Sequence, residues 1–545
     1  MININRYIKS SFRYFFLYCI FSFFVSVFAV MVQFKRGDVL NNALAFDYTL
    51  LSQAILLLAV YIFAEILFMQ IAFRMENTIV NHTERDMKRD FFGSVVQMEY
   101  PVFQSSTIGD YISKFTVMIS EIKHKYFSSL TLLIMFCVKI VLVTVALAML
   151  NWKVMLLTLF LLTMPMYLPK LLEKQLQHFQ GQYVEKAERF INSLTNILQG
   201  FEVIKNFSME KKITAQFMER NLDVSRTSLK NSNYNSLMRG LMALISYFSY
   251  FAIIAFSAYL VFTKEFNAGQ FFVAVGMIDQ LSYPLIAIAG CIQNIVAVKT
   301  LKTEFVALIT RKNEDGNTKV MRFNHKIMLD NISFRHKDAP SWLFHGVSFE
   351  MQKGGKYLIQ GESGCGKTTL INCLLKYHEI NCGVITIDNE PLDNIANVYG
   401  IFSILRQDVF LFSDSLRNNL ALFDDSIKDT AIFEMLVSLG MAKYATAEGL
   451  ETSVGDGGVQ LSGGERRRIG LARVLLSSKD IVILDEPLAN LDVNTKETIK
   501  RYISSIKGKT VLVVSHEWSN NNDNDKRDGF DRILVMEPCH EKLMN

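Results

Sequence analysis

The pattern of apolar positions divides the chain into two parts. Up to about residue 298, long runs with almost no charged residue recur, and the runs after that point are short. A helix that crosses the roughly 30 Å hydrocarbon core of a bilayer needs about 20 apolar residues, because lipid offers no partners to backbone N–H and C=O groups. Six windows approach or exceed that length: residues 14–34, 48–73, 126–152, 154–169, 240–263 and 266–298. We therefore predict an all-α membrane domain of six helices.

The connections between the six windows alternate in length. Residues 35–47, 151–153 and 264–265 are short, whereas residues 74–125 and 170–239 are long, polar and compatible with helical hairpins. Most Lys and Arg residues of this part lie at the amino terminus and in the long connections, and such residues concentrate on the cytoplasmic side of membranes. We therefore expect a multi-pass protein of the cell (plasma) membrane with both termini and both long connections in the cytoplasm. The first window is too long for the apolar core of a signal peptide.

Three charged residues lie inside the predicted spans: Glu65, Lys139 and Asp279. A charge inside a bilayer is expensive, so each of them is a candidate functional residue. Two interpretations stay open for Glu65 and Lys139: an interhelical pair that fixes packing, or a role in a substrate cavity. Asp279 is a candidate for lining a central pathway.

Composition sharpens the division. Residues 1–300 hold 27 Lys and Arg against 19 Asp and Glu, whereas residues 301–545 hold 30 against 33, as expected for a lipid-facing part followed by a water-facing part. The overall net charge of +5 reflects basic residues near the spans, so we expect no nucleic-acid partner. The seven cysteines form no Cys-x-x-Cys pair, which argues against a disulfide framework or a zinc site and favours free thiols.

From about Lys326 the chain changes to short β-rich runs separated by turns and helices, a pattern typical of an α/β domain. Residues 361–368 read GESGCGKT and match the phosphate-loop pattern G-x-x-x-x-G-K-[ST] between a strand-like and a helix-like run. In such a loop the backbone N–H groups surround the phosphates, Lys367 reaches the β and γ phosphates, and Thr368 can coordinate Mg²⁺. We therefore predict a nucleotide site here.

Two later apolar runs end in polar side chains. Residues 481–484 lead into Asp485 and Glu486. Beside a phosphate loop, Asp485 would reach the Mg²⁺ shell and Glu486 would polarise a water for attack on the γ-phosphate. The run 510–514 leads to His516, which we expect to contact the γ-phosphate.

Between these motifs, residues 461–465 read LSGGE upstream of ILDEP at 483–487, and this resembles the signature of the ATP-binding cassette (ABC) family. Gln407 resembles the Q-loop of that family, Leu491 and Asp492 its D-loop, His516 its switch histidine, and residues 454–458 the segment that precedes the signature in exporters. With the six spans in front, nearly the whole chain resembles an exporter-type half-transporter. The implied fold is a membrane all-α six-helix transmembrane domain plus an α/β P-loop nucleotide-binding domain. We place the transmembrane domain at residues 1–310, a linker at 311–325 and the cassette at 326–545.

The motifs and the resemblance together imply ATP and Mg²⁺ as cofactors and a set of site residues. The expected catalytic residues are Glu486, His516 and Gln407, and the expected metal ligands are Thr368, Gln407 and Asp485. The expected nucleotide contacts are Gly361, Ser363, Gly364, Cys365, Gly366, Lys367, Thr368, Thr369, His336, Ser462, Gly463, Gly464 and Asp492.

One chain holds one phosphate loop, one signature and six spans, which is half of what such a transporter needs. In the family, two cassettes pair head to tail, so the resemblance implies that Ser462 and Gly464 bind the γ-phosphate held by a second half-transporter. We expect a homodimer, because Glu486 and the other catalytic positions are all present, and a heterodimer stays open.

Three positions depart from the family pattern. His336 stands where exporters usually have an aromatic residue, commonly Tyr, that stacks on adenine, and imidazole stacks with less area. Glu465 ends the signature where Gln is more common, and Ala489 and Asn490 precede the D-loop in place of Ser-Ala. We expect weaker or retuned nucleotide communication with hydrolysis retained.

The leading functional hypothesis is an ATP-driven exporter that moves a peptide, lipid or amphipathic compound across the membrane by alternating access. Residues 101–109 and 198–205 resemble the coupling helices of such exporters. Two alternatives stay open: an importer with the exporter fold and siderophore-like cargo, and a membrane ATPase that regulates a partner without carrying cargo. A soluble ABC ATPase acting on nucleic acid or ribosomes is disfavoured by the six spans.

Overall fold

The computed structural model describes residues 4–164, 173–310, 322–337, 339–395, 397–489, 491–516, 518 and 529–537. It divides into two compact units. The first consists of Met1–Gln97 with Thr107–Lys312, and the second of Met98–Ser106 with Asn313–Asn545. A short segment of the first predicted cytoplasmic connection, residues 98–106, therefore packs with the carboxyl-terminal unit. The predicted linker 311–325 lies largely outside the described residues, so the sequence-based domain boundaries stay a prediction.

The described chain up to residue 310 is helical. Its helix α4, between α3 and α5, belongs to the second unit. The helices of this part of the chain are α1 (Asn5–Ser10), α2 (Phe12–Leu44), α3 (Tyr48–Val96), α4 (Tyr100–Gln104), α5 (Ile108–Ser113), α6 (Ile119–Ile122), α7 (Ser129–Leu150), α8 (Trp152–Thr163), α9 (Glu173–Gln199), α10 (Phe201–Asn206), α11 (Glu210–Phe262), α12 (Ala268–Ala297) and α13 (Lys299–Thr310). Two wider π-helical turns, Lys114–Met118 and Lys123–Ser128, join α5, α6 and α7.

Five continuous helical stretches in the described residues are long and apolar enough to cross a membrane. They contain α2, α3, α7, α11 and α12. The fourth predicted window, 154–169, begins in the shorter apolar helix α8, and its last residues lie outside the described part of the chain. Helices α3 and α11 have 49 and 53 residues and are about 74 and 80 Å long, far more than a bilayer core requires. Each therefore carries a long extension that forms part of a predicted cytoplasmic connection.

At each of the three short connections an Asp or Asn residue caps the helix that follows. Asp47 accepts a hydrogen bond from the N–H of Leu50 at 3.0 Å, and Asn151 accepts from the N–H of Lys153 at 2.9 Å. Asn267 and Gln270 form a reciprocal capping box at the start of α12. The first turn of a helix has N–H groups without helical partners, so these caps let the chain reverse direction within a few residues.

The charged residues inside the spans have different surroundings. Glu65 and Lys139 are both half-buried, and no ion pair within 4.0 Å joins them in the part of the chain that the structure describes. Asp279 is exposed at the middle of α12, and its carboxylate lies close to the hydroxyl of Tyr250 on α11. The roles of Glu65, Lys139 and Asp279 stay predictions.

The second unit is built on two main sheets. Its strands are β1 (Lys326–Phe334), β2 (Phe344–Gln352), β3 (Lys356–Gly361), β4 (Cys382–Ile387), β5 (Glu390–Pro391), β6 (Phe402–Leu405), β7 (Asp414–Ser415), β8 (Ser453–Val454), β9 (Ile481–Asp485), β10 (Thr510–Val514) and β11 (Arg532–Met536). One sheet is antiparallel with the order β2-β1-β4-β5, and the other is parallel with the order β11-β3-β10-β9-β6. Strands β7 and β8 form a separate small pair.

Helices of this unit cover the sheets. They are α14 (Lys367–Leu374), α15 (Leu416–Ala421), α16 (Asp429–Ser438), α17 (Ala447–Leu450), α18 (Gly463–Leu476) and α19 (Val493–Ser505). Strands β9 and β10 are buried at every position, which explains their uninterrupted apolar sequence, because a central parallel strand is covered on both faces. This arrangement is the α/β domain that the sequence predicts.

Helices α2 and α12 approach each other closely at two glycines. A Cβ atom at Gly269 would lie 2.5 Å from the backbone O of Gly37, which is too close for any side chain. The N–H of Gly269 donates to the side-chain O of Asn41 at 2.8 Å. Small residues that let helix backbones approach are a common basis of packing in membranes.

We expect Gly269→Ala to destabilise the folded chain by about 1–3 kcal/mol, since the added methyl group must push the two backbones apart. Gly290→Ala on the same helix is the matched control, because a Cβ atom there meets nothing within 4 Å. Thermal unfolding of both variants in detergent micelles should show a lower melting temperature for Gly269→Ala alone. Equal melting temperatures would contradict the close approach.

Candidate nucleotide site

The parallel sheet collects the predicted site residues at one edge. The phosphate loop follows β3, His516 follows β10, Glu486 follows β9 and Gln407 follows β6. These four strands are neighbours in the order β3-β10-β9-β6 and run in the same direction, so the segments after them emerge side by side. Ligands of open α/β sheets bind at this carboxyl edge.

The phosphate loop has the backbone that its glycines permit. Gly364 and Gly366 adopt φ angles of +88° and +97°, a region that residues with a Cβ atom rarely occupy. Gly361 has no room for a side chain, because a Cβ atom there would lie 2.4 Å from the backbone O of Met536. The side chain of Cys365 is only 1 % exposed and packs in the core, so Cys365 can contact a ligand through its backbone alone.

Lys367 begins α14 and is 8 % exposed. Its Nζ donates hydrogen bonds to the backbone O atoms of Gly361 and Glu362, at 2.8 and 2.7 Å. The ammonium group is thus held inside the loop that would surround the phosphates. The roles of Ser363 and Thr369, which belong to the same segment, stay a prediction.

Thr368 and Asp485 come together although 117 residues separate them. The Thr368 hydroxyl donates to the Asp485 carboxylate at 3.4 Å, and Asp485 is 2 % exposed. Burial raises the pKa of Asp485, and the positive charge of Arg406 opposes that increase. Two adjacent oxygen ligands beside a phosphate loop fit Mg²⁺, which prefers hard oxygen donors and takes the rest of its shell from phosphates and water.

Glu486 and His516 are in direct contact. The Glu486 carboxylate and the His516 Nδ1 are 2.8 Å apart, and Glu486 has a φ angle of +51° in the turn that follows β9. The Glu486 N–H donates to the O of Val514, the last residue of β10, at 2.8 Å. The second carboxylate oxygen, Oε2, is buried and has no hydrogen-bond partner within the described ranges. A buried acceptor without a partner is an acceptor for a water or a ligand group.

The signature segment forms the amino terminus of α18. Ser462 caps this helix, and it forms a capping box with Glu465 in which each side chain accepts from the N–H of the other residue, at 3.2 and 2.9 Å. Lys443 lies 2.5 Å from the Glu465 carboxylate. This ion pair, with the Ser462 N–H, lowers the pKa of Glu465 to about 2. The unusual Glu of the signature therefore has a structural role at the start of α18. Gly463 and Gly464 are the first residues of the helix.

The D-loop residue Asp492 caps α19 by accepting from the N–H of Thr495 at 3.0 Å. The O of Ala489, just before this loop, accepts from Arg467 of α18 at 2.9 Å. Asn490 lies outside the described residues. The D-loop is thus tied to the signature helix, whereas its contact with nucleotide stays a prediction.

His336 is exposed after β1 and lies near two other rings. Its ring centroid is 5.1 Å from that of Phe334 and 6.2 Å from that of His378. His378 itself stacks on Phe334 at 5.4 Å, and burial together with the charges of His336 and Arg406 lowers the pKa of His378. His378 was missed by sequence reasoning, because no motif marks the segment after α14.

Arg406 was also missed, although it stands next to Gln407. Its guanidinium donates to the side-chain O of Asn372 at 2.8 Å and lies 5.3 Å from the ring centroid of Tyr377. Gln407 is exposed, so its predicted contacts with metal and water stay a prediction. Gln407 was identified by the resemblance of the segment RQDVFLF, residues 406–412, to the Q-loop, and Arg406 matches no motif of its own.

Two family models match the chain. Residues 15–285 match the ABC transporter transmembrane region, and residues 344–489 match the model described as ABC transporter. The two matched ranges fall on the helical part and on the nucleotide site described above.

Several curated relatives are similar over much of the chain. An ATP-dependent lipid A-core flippase of Haemophilus ducreyi is 27 % identical over 390 residues, covering 69 % of this chain and 65 % of that protein. A putative multidrug export ATP-binding/permease protein of Bacillus subtilis, YgaD, is 27 % identical over 364 residues, covering 64 % and 62 %. The chain thus spans slightly less than two thirds of the length of these two relatives.

One solved structure is similar in fold over nearly the whole chain. A bacterial Atm1-family ABC exporter with ATP bound superposes with a TM-score of 0.78 at 20 % sequence identity. The superposition covers 97 % of this chain and 94 % of that one. At this identity the similarity concerns the fold.

The ion pair of Glu465 predicts a pH-dependent contribution to stability. Because the folded pKa lies near 2, below the ordinary value of 4.5, the contacts stabilise the protein above pH 4.5, and this contribution is lost as the pH falls from 4.5 towards 2. Glu465→Gln keeps an acceptor for the Ser462 N–H but loses the ion pair. The wild-type chain should therefore melt at a higher temperature than this variant at pH 7, and the difference should shrink below pH 4.5.

The measurement is a series of melting temperatures in detergent from pH 7 down to pH 3. Glu448→Gln, at an exposed carboxyl group, is the control and should show no such trend. A difference between wild type and Glu465→Gln that stays constant across the series would contradict the assignment.

Proposed function

The chain belongs to the ABC transporter family, and from that premise we propose that it is one half of an ATP-driven exporter of amphipathic cargo. The family and the fold predicted from the sequence are confirmed, and the carboxyl-terminal unit is the ATPase that such a transporter couples to transport. Export, the cargo and the dimer are the parts that we propose. They rest on the site geometry and on the similarity to exporters.

The observation that carries the proposal is the contact between Glu486 and His516 at the edge that also holds the phosphate loop. The two side chains come from neighbouring strands, at 2.8 Å from each other. Glu486 would accept a proton from a water that attacks the γ-phosphate, and its buried Oε2 is the free acceptor for that water. His516 would orient the Glu486 carboxylate and donate to the γ-phosphate.

The remaining charges would bind and position the phosphates. Lys367 would contact the β and γ phosphates, and Thr368 with Asp485 would hold Mg²⁺. When bound with ATP, Mg²⁺ supplies positive charge to the β and γ phosphate oxygens. His336, with Phe334 beside it, would stack on the adenine.

We infer that two such chains pair, because the chain carries one phosphate loop and one signature. The amino terminus of a helix favours an anion, and Gly463 and Gly464 are the first residues of the 14-residue α18, with Ser462 as its cap. In a head-to-tail pair this terminus would face the γ-phosphate held by the partner. A homodimer is the simpler assembly, since the chain has every catalytic position.

ATP would act on the membrane helices through the cytoplasmic hairpins. Helices α4 and α10 stand at the turns of the two long connections, within or beside the segments that resemble coupling helices. Closing of the paired ATPase units would move these turns and tilt the attached spans, which exposes the pathway alternately to the two sides.

The cargo proposal rests on the lining of the spans. An exposed carboxylate at the centre of a spanning helix is unfavourable against hydrocarbon by about 2.5–3.5 kcal/mol, so Asp279 is better placed facing a water-filled pathway. Exposed aromatic side chains accompany it on α11 and α12, among them Tyr247, Phe251 and Tyr283. An acidic group among aromatic rings favours a cationic amphipathic compound.

Glu486→Gln tests the chemistry. We expect ATP turnover to fall at least about a hundredfold, because the variant has no general base, while ATP binding is retained and the closed pair accumulates. The measurements are steady-state phosphate release and binding of a fluorescent ATP analogue by the purified full chain. Near-normal hydrolysis would overturn the role of Glu486.

Asp279→Asn tests the cargo. Tetraphenylphosphonium and tetraphenylborate have the same shape and opposite charge, and we expect the cation to stimulate the wild-type ATPase more strongly than the anion. The variant should lose most of that preference, whereas Tyr250→Phe, which keeps the carboxylate, should retain it. Equal stimulation of the wild type by both ions would contradict a cationic cargo. ATP-driven uptake of the cation into inside-out vesicles would support export, and ATP-driven loss from such vesicles would support the importer.

A further inference from the structure

We propose that Lys443 is a positioning residue that neutralises the Glu465 carboxylate, so that the start of α18 can accept the γ-phosphate held by a second copy of this chain. Lys443 lies outside every motif of the sequence, and the role that we assign to it rests on the head-to-tail pair of the proposed function. The sequence marks only Glu465 as a departure from the family pattern.

Glu465 places a negative charge where the proposed function requires an anion to bind. Its carboxylate accepts from the N–H of Ser462 at 2.9 Å, within the first turn of α18. The positive end of a helix dipole favours a carboxylate and a phosphate alike, but the two anions repel each other when they share one helix terminus. Glu465 without a cation beside it would therefore weaken the binding of a phosphate by the signature segment.

Lys443 compensates for this charge by direct contact. Its Nζ lies 2.5 Å from Oε1 of Glu465, while Oε2 accepts the N–H of Ser462, so the two carboxylate oxygens have separate partners. These contacts lower the pKa of Glu465 to about 2, so the carboxylate is ionised at neutral pH and only a cation makes the pair neutral. The Glu465 side chain is 14 % exposed and that of Lys443 is 65 % exposed. The cation is thus the more accessible member of the pair.

The fold holds Lys443 beside the signature helix. Lys443 is the middle residue of a 3-10 helical turn, Ala442–Tyr444, and its Nζ lies 4.7 Å from the ring centroid of Tyr444, within the range of a cation–π interaction. Arg468 of α18 donates to the O of Gly440, just before this turn, at 3.1 Å. The turn and the helix are therefore joined at two points, and only the ion pair sets the charge at the start of α18.

The two effects of the ion pair, holding the turn and neutralising the carboxylate, are separable by substitution. If the pair only stabilises the fold, loss of either member should have the same effect on nucleotide binding. If Lys443 compensates for Glu465, loss of Lys443 alone leaves an unbalanced negative charge, whereas loss of both side-chain charges leaves none. Binding of the γ-phosphate should then follow the net charge of the pair.

The test measures how long the purified full chain, carrying Glu486→Gln, retains radiolabelled ATP after dilution into unlabelled ATP. We expect Lys443→Gln to shorten the half-life of bound ATP about three- to tenfold, and Lys443→Arg, which keeps the charge, to restore it. Glu465→Gln should release ATP no faster than the parent, and adding Glu465→Gln to Lys443→Gln should restore the half-life. ADP has no γ-phosphate, so it should leave all these variants at one rate. Lys507→Gln, at an exposed lysine after α19, is the matched control.

The double variant separates charge compensation from ordinary stabilisation. If it releases ATP as fast as Lys443→Gln, or if Lys443→Gln releases ATP as slowly as the parent, the role of Lys443 is wrong and the proposed function stands. If ATP leaves the Glu486→Gln parent as fast as ADP does, no partner site forms, and the head-to-tail pair fails together with the role of Lys443. Melting temperatures identify a variant that does not fold, and Lys443→Met then replaces Lys443→Gln in the same comparison.

Discussion

The parallel order of β3, β10, β9 and β6 is the constraint on which the ATPase unit depends. The predicted site residues of four distant segments come together because the strands that precede them end side by side at one edge. Strands β9 and β10 can lie at the centre of this sheet because every residue in them is buried. The apolar side chains on both faces therefore fix the positions of Asp485 and, beyond the last strand residues, of Glu486 and His516.

Burial and nearby positive charges set the electrostatics of the site. Burial of Asp485 disfavours its charged form, and the positive groups Lys367 and Arg406 compensate. Lys367 is fastened to the backbone of its own loop, and Arg406 is fastened to Asn372. Both charges are therefore held in place by hydrogen bonds within the protein itself.

The helical unit has a different requirement. Its backbone N–H and C=O groups must form hydrogen bonds within the helices, because lipid offers no partners. The chain meets it with very long helices and with short connections capped by Asp47, Asn151 and Asn267. Helix α3 leads directly into residues 98–106, which belong to the ATPase unit, so the chain itself joins the two units at this point.

The sequence by itself determined the two parts of the chain, the apolar spans, the phosphate loop and the carboxylate pair, because each of these is a local pattern set by period, length or motif. Five of the predicted windows lie in helices that are long and apolar enough to cross a membrane, and the sixth lies partly outside the described residues. The sequence also singled out Glu465 as unusual, but only the structure revealed its ion pair with Lys443, which stands 22 positions earlier.

Only the tertiary structure decided that Tyr100 packs with Tyr377, that Arg406 lies between that ring and Asn372, and that His378 accompanies His336. These contacts join residues that no shared motif or period relates. The packing of the sheets and helices decides which of these residues meet. A pattern along the chain does not specify contacts between residues that are distant in sequence.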